Sequence, residues 1–218
     1  MIKAIIFDFD GLIVDTETVW YEAYKETMGF YQADLPLERF VHCIGTDDTL
    51  LHAFFREQLG ERCNIDEIEA RAKSLHKGKM KTPQAREGVR EYLEESRNMG
   101  YKIALASSST REWVTHYLHE LKLLHYFDVM ITQDDVQKVK PAPDLYLKAI
   151  EVLHIHSSEA VAFEDSLNGC QAAVTAGLKC VIVPNPVTES LPFEKHSLRL
   201  ASMAEKRLMD VIELIKPS

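Results

Sequence analysis

The 218-residue chain is poor in cysteine, short of basic residues relative to acidic ones, and without long apolar runs. Its four cysteines, Cys43, Cys63, Cys170 and Cys180, show no C-x-x-C spacing. Cys170 and Cys180 lie in apolar segments, where a free thiol behaves as a small hydrophobe, so a reducing cytoplasm is the expected setting. No His or Cys cluster has ligand spacing, which argues against zinc. Lys and Arg number 25 against 34 Asp and Glu, giving a formal net charge of −9 and a pI near 5.5. That balance speaks against a nucleic-acid partner, because gripping a phosphate backbone needs clustered basic residues on one face. No apolar stretch is long enough to span a bilayer, and the opening residues reach Asp8 too soon for a signal peptide. A soluble chain with no membrane partner is expected. Internal repeats and low-complexity segments are also missing.

What the chain does have is 46% hydrophobic residues, enough for one substantial core or for a core domain carrying a smaller insertion. Residues 2–7 form a short apolar run rich in β-branched side chains, bounded by Asp8-Phe9-Asp10-Gly11. This suits a buried parallel strand ending in a turn. Residues 102–106, 127–132, 160–163 and 179–183 read the same way. Helical patterns separate them: Trp113, Tyr117 and Leu121 recur every four residues, and Tyr146, Ala149, Ile150 and Leu153 follow i, i+3, i+4, i+7 spacing. Gly100 and Gly177 stand where helices should end. Alternating strands and helices imply an α/β fold with a doubly wound, Rossmann-like parallel sheet.

Residues 16–81 break the alternation. Apolar stripes ending at Gly29 and Gly60, and an Asn64 cap with Glu67 three residues on, predict helices without a strand between them. The expected organisation is an α/β core of residues 1–15 and 82–218 with a helical cap domain, residues 16–81, inserted after the first strand.

In an open α/β sheet, ligands bind at the carboxyl ends of the strands. The residues there form a set: Asp8 and Asp10 after the first strand, Ser107, Ser108 and Ser109 after the second, Lys140 after the third, Glu164 and Asp165 after the fourth. Each has a plain structural alternative. Asp-x-Asp can be a solvated loop, a Ser or Thr of residues 107–110 can cap the next helix, Lys140 can be a loop lysine, and Glu164 and Asp165 can sit at a helix N-terminus for its dipole. Their convergence from four strand ends is what points to phosphoryl transfer. Clustered carboxylates repel unless protonated or neutralised, and oxygen-only ligands select a hard cation such as Mg²⁺. A metal and a lysine offset the repulsion between an attacking carboxylate and a phosphate dianion. Asp10, two residues on at the turn, is placed to act as general acid and then as general base.

The chain resembles the haloacid dehalogenase-like superfamily of phosphatases and phosphomutases. Asp8-Phe9-Asp10-Gly11 with Asp15-Thr16-Glu17 is similar to its first motif, and Ala104-Leu105-Ala106-Ser107-Ser108-Ser109 to its second. Lys140-Pro141-Ala142-Pro143-Asp144 is similar to the third, and Phe163-Glu164-Asp165-Ser166-Leu167-Asn168-Gly169 to the fourth. The resemblance implies Mg²⁺ and an aspartyl-phosphate intermediate. By position, Asp8 is the nucleophile and a metal ligand, and Asp10 is the acid/base and binds metal through its backbone carbonyl. Ser107, the Ser108 backbone and Lys140 hold phosphate, and Asp165 with Glu164 completes the metal site. Within the superfamily the motifs look closest to the branch of β-phosphoglucomutase and the sugar-phosphate phosphatases.

The cap departs from the mutase. Trp20 stands where the mutase has a histidine, and Ile44-Gly45-Thr46-Asp47-Asp48 where it has Lys-Gly and then an arginine, while Lys73 matches a mutase cap lysine. The expectation is therefore a monomeric phosphatase of small phosphorylated metabolites, sugar phosphates first. A β-phosphoglucomutase-like isomerase is the alternative, and a non-catalytic phospho-accepting signalling domain a distant one. Substrate choice is expected from His42, Thr46, Asp47, His52 and Lys73.

Overall fold

A computed structural model describes residues 1–45 and 47–216, so Thr46 lies outside the described residues. The first strand, β1 (Ala4–Phe7), is followed by α1 (Thr16–Phe30), the short α2 (Leu37–Phe40), α3 (Thr49–Leu59) and α4 (Ile65–Lys79). The alternation then resumes with α5 (Val89–Asn98), β2 (Lys102–Ala106), α6 (Arg111–Glu120) and β3 (Val129–Ile131). It closes with α7 (Asp144–Leu153), β4 (Ala160–Glu164), α8 (Leu167–Thr175), β5 (Lys179–Ile182), β6 (Leu198–Arg199) and α9 (Leu208–Leu214).

The strands form one parallel sheet in the order β3-β2-β1-β4-β5-β6. Because side chains alternate across a strand, each strand feeds two cores. Ile5, Phe7, Ile103, Leu105, Val161 and Phe163 enter one, packed under α5, α6 and α9. Ala4, Ile6, Ala104, Ala106, Ala160 and Ala162 enter the other, where small side chains let α7 and α8 lie close to the sheet. Burial on both faces is why these strands read as unbroken apolar runs.

The helices between β1 and β2 bury an apolar cluster of their own, including Tyr24, Met28, Phe40, Phe54, Phe55 and Ile68, to which Val187 also contributes. Asp15 caps α1 by accepting from the Thr18 amide at 3.1 Å, and Asn64 caps α4 by accepting from the Glu67 amide at 3.3 Å. Two expectations shift. The third strand is shorter than residues 127–132, because Thr132 donates through its amide and hydroxyl to the Asp135 carboxylate and turns the chain off the ladder. Gly29 does not end the first cap helix, which runs to Phe30.

Candidate active site

Order 3-2-1-4-5 places the topological switch between β1 and β4, and the candidate residues gather at that point. Asp8 follows β1, Ser107 follows β2, Lys140 comes from the loop between β3 and α7, Glu164 ends β4 and Asp165 follows it. All five are buried. The Lys140 ammonium pairs with Asp8 and lies 2.7 Å from Glu164 Oε1. Burial alone would lower the Lys140 pKa, but Asp8 and Glu164 outweigh it and hold the ammonium charged. Asp8 is pushed up to about 7 by burial, with Lys140 opposing and Glu164 adding to the rise. Asp165 stands well above the carboxylate range, through burial and then through Asp8, Glu164 and Glu17.

Backbone shape lets these groups meet. Gly11 has φ of +77°, and a Cβ there would collide with the Asp165 carboxylate. A Cβ on Gly169 would likewise collide with the Glu164 carboxylate, so the first turn of α8 can approach β4 only as glycine. Ser166 caps α8 by accepting from the Gly169 amide at 3.0 Å.

Asp8, Glu164 and Asp165 each offer an oxygen within 4.8 Å of the others. Asp165 Oδ1 is buried with no hydrogen-bond partner among the described residues, an orphan of the kind a cation satisfies. An all-oxygen donor set with an orphaned carboxylate oxygen fits Mg²⁺. Glu164 is shared, since Tyr146 donates its hydroxyl to the same oxygen that faces Lys140.

The Asp10 side chain stands apart from that cluster. Its Oδ1 accepts from Thr16 Oγ1 at 2.9 Å and from Trp113 Nε1 at 2.9 Å, and its Oδ2 from Ser109 Oγ at 2.6 Å and Ser107 Oγ at 3.5 Å. Ser108 Oγ instead donates to the Gly45 carbonyl at 2.9 Å, joining the strand end to the loop before α3. Of residues 107–110, it is Thr110 that caps α6, accepting from the Trp113 amide at 3.2 Å.

A cavity of about 440 Å³ opens above Asp8, Asp10, Ser107 and Ser108. Its lining also includes Glu17, Asp47, Asp48 and Glu69, with Lys73 the one basic lining residue among the described residues. Glu17 is held well above the carboxylate range by burial and then by Asp10 and Asp8. Of the residues expected to set substrate choice, Asp47 and Lys73 line the cavity, whereas His42 and His52 do not. His52 Nε2 is 2.8 Å from Glu69 Oε1.

Three contacts were not foreseen from the sequence. Trp113 reaches Asp10, although its spacing marks only an apolar face of α6. Tyr146 reaches Glu164. Asn185 donates to Asp165 from just past the fifth strand. That position, read in the same way as the ends of the other four strands, would have pointed to it.

A model of the haloacid dehalogenase-like hydrolase family matches residues 5–183. The chain belongs to that family. It is 46% identical over 209 residues to the protein YhcW of Bacillus subtilis, covering 95% of each. It is 30% identical over 218 residues to the phosphorylated carbohydrates phosphatase of Thermotoga maritima, covering 98% of each. The structure of CbbY from Rhodobacter sphaeroides in complex with phosphate superposes with a TM-score of 0.77 at 28% identity, over 94% of this chain and 96% of that one. The family and the doubly wound α/β fold are those anticipated from the motifs. Among the described residues, no helix is long and apolar enough to cross a membrane.

Proposed function

We propose that this protein is a Mg²⁺-dependent phosphatase of small phosphorylated metabolites, sugar phosphates first, acting through an aspartyl phosphate on Asp8. The observation that carries the proposal is the buried meeting of Lys140, Glu164 and Asp165 with Asp8, which lines the cavity. The name of the Thermotoga maritima relative supports the substrate class. Residues 16–81 act as a cap over a core of residues 1–15 and 82–218.

In this account Ser107, the Ser108 backbone and Lys140 hold the phosphate. Asp8 attacks phosphorus, and the bond to the ester oxygen breaks with its electron pair going to that oxygen. Asp10 protonates the departing alcohol, then takes a proton from the water that attacks the aspartyl phosphate and frees Asp8. Lys140 offsets charge on the transferred group. Asp8, Asp165, Glu164 and the Asp10 carbonyl would hold Mg²⁺, which when bound supplies positive charge against the repulsion between carboxylate and phosphate.

The acidic lining of the cavity favours water over a second sugar as acceptor. A mutase must grip a second phosphate during transfer, and Asp47, Asp48 and Glu69 oppose that charge, with Lys73 the one basic lining residue among the described residues to attract it. The test is phosphate release across a panel of phosphorylated metabolites, with β-glucose 1-phosphate plus β-glucose 1,6-bisphosphate included. Release of inorganic phosphate is expected, lost with EDTA and restored by Mg²⁺. Accumulation of glucose 6-phosphate with little free phosphate would replace this account with the mutase, and full turnover in EDTA would remove the metal from it.

A further inference from the structure

The Asp10 carboxyl is surrounded by three hydroxyls and one indole. The hydroxyls of Thr16, Ser107 and Ser109 can donate or accept, so none of them fixes which Asp10 oxygen carries a proton. The indole N–H of Trp113 can only donate. It lies 2.9 Å from Oδ1, whereas Oδ2 faces Ser109 and Ser107, the latter proposed above to hold the phosphate.

The indole is itself held in place from both sides. Thr110 caps α6 three residues before it, and Tyr117 meets the ring edge-on at 4.7 Å. Trp20, on α1, lies nearly parallel to it at 6.0 Å and 28°, and His76, on α4, stacks on Trp20 at 4.0 Å. One aromatic column thus runs from the helices over the cavity to the Asp10 carboxyl.

We propose that Trp113 is a positioning residue for Asp10: its N–H occupies Oδ1 and leaves Oδ2 as the oxygen that delivers the proton to the leaving group. This rests on Asp10 acting as the acid. In that step the Asp8–phosphorus bond forms, the ester P–O bond breaks with its electrons on the departing oxygen, and the proton on Oδ2 moves to that oxygen. Alcohol, aspartyl phosphate and an Asp10 carboxylate result. A departing alkoxide requires this proton, whereas p-nitrophenolate leaves without it, so the indole should matter for one substrate and not for the other.

The test is Trp113→Phe, which keeps an aromatic ring in the column and removes the donor. The measurement is kcat/KM, which covers only the steps through departure of the leaving group. It should fall by about 10-fold or more for an alkyl monophosphate and by less than about 2-fold for p-nitrophenyl phosphate. Should the phenyl ring pack poorly, benzothienylalanine at position 113 keeps the bicyclic shape with sulfur in place of N–H, and the same selective loss is expected. Asp10→Asn serves as the reference and should show the selectivity more strongly. Equal losses on both substrates for the benzothienyl variant, or none on either, would overturn the role of Trp113. An unselective Asp10→Asn would overturn the acid itself and this proposal with it.

Discussion

Asn185 Nδ2 donates to Asp165 Oδ2 at 2.6 Å, and both residues are buried. The amide is locked in turn, since its Oδ1 accepts from the Val187 and Thr188 amides at 3.0 and 3.1 Å. Asp165 is thereby aimed with Oδ1 free, and ligand carboxylates depend on such outer partners for their orientation.

Asn185→Ala should therefore weaken metal affinity by about 10- to 100-fold. Mn²⁺ binding followed by electron paramagnetic resonance reads this without reference to turnover. An unchanged dissociation constant would mean that Asp165 is not oriented by Asn185, or is not a ligand.

Lys140→Ala removes the cation paired with Asp8 and Glu164. If its charge acts on the transferred group, kcat should drop on the order of 100-fold or more. A rise in KM with kcat unchanged would make Lys140 a binding residue only.

His76, on α4, is buried against Trp20, its Nε2 has no hydrogen-bond partner among the described residues, and burial lowers its pKa to about 4. An unfolded histidine titrates near about 6.5, so between these values the unfolded chain binds the extra proton. Stability from the neutral imidazole is present above about pH 6.5 and is lost as pH falls toward 4, by on the order of 3 kcal/mol at most. His76→Phe keeps the stack and removes this loss. Urea unfolding of both proteins at pH 7 and near pH 4 checks it, and identical acid destabilisation would show that His76 is not the group responsible.

The parts of the fold that the sequence made legible were those set by one dominant force. Residues 4–7 are buried on both faces, so the strand shows as an apolar run, and Asp8 is marked by where the run stops. Asn64 and Glu67 announced α4 because capping is local. The two-residue β6 leaves no run to read, and Thr132 ends β3 through a side chain three residues away. In the candidate site, a residue's type and its place after a strand singled out Asp8, Lys140, Glu164 and Asp165, which the fold brings together. Trp113 and Asn185 were hidden because each reaches the site through one hydrogen bond whose direction depends on how α6 and the loop after β5 lie against the sheet. Periodicity reports the face of a helix and not the aim of an indole.

Everything proposed for the chemistry requires phosphate to pass through Asp8, and peptide mass spectrometry of enzyme acid-quenched during turnover reads that step itself. A phosphoryl group is expected on the peptide containing Asp8, and hydroxylamine should displace it as inorganic phosphate and leave the Asp8 hydroxamate, with neither modification nor phosphate release in Asp8→Asn. Phosphate release by Asp8→Asn, or a phosphoryl group on another residue, would contradict it.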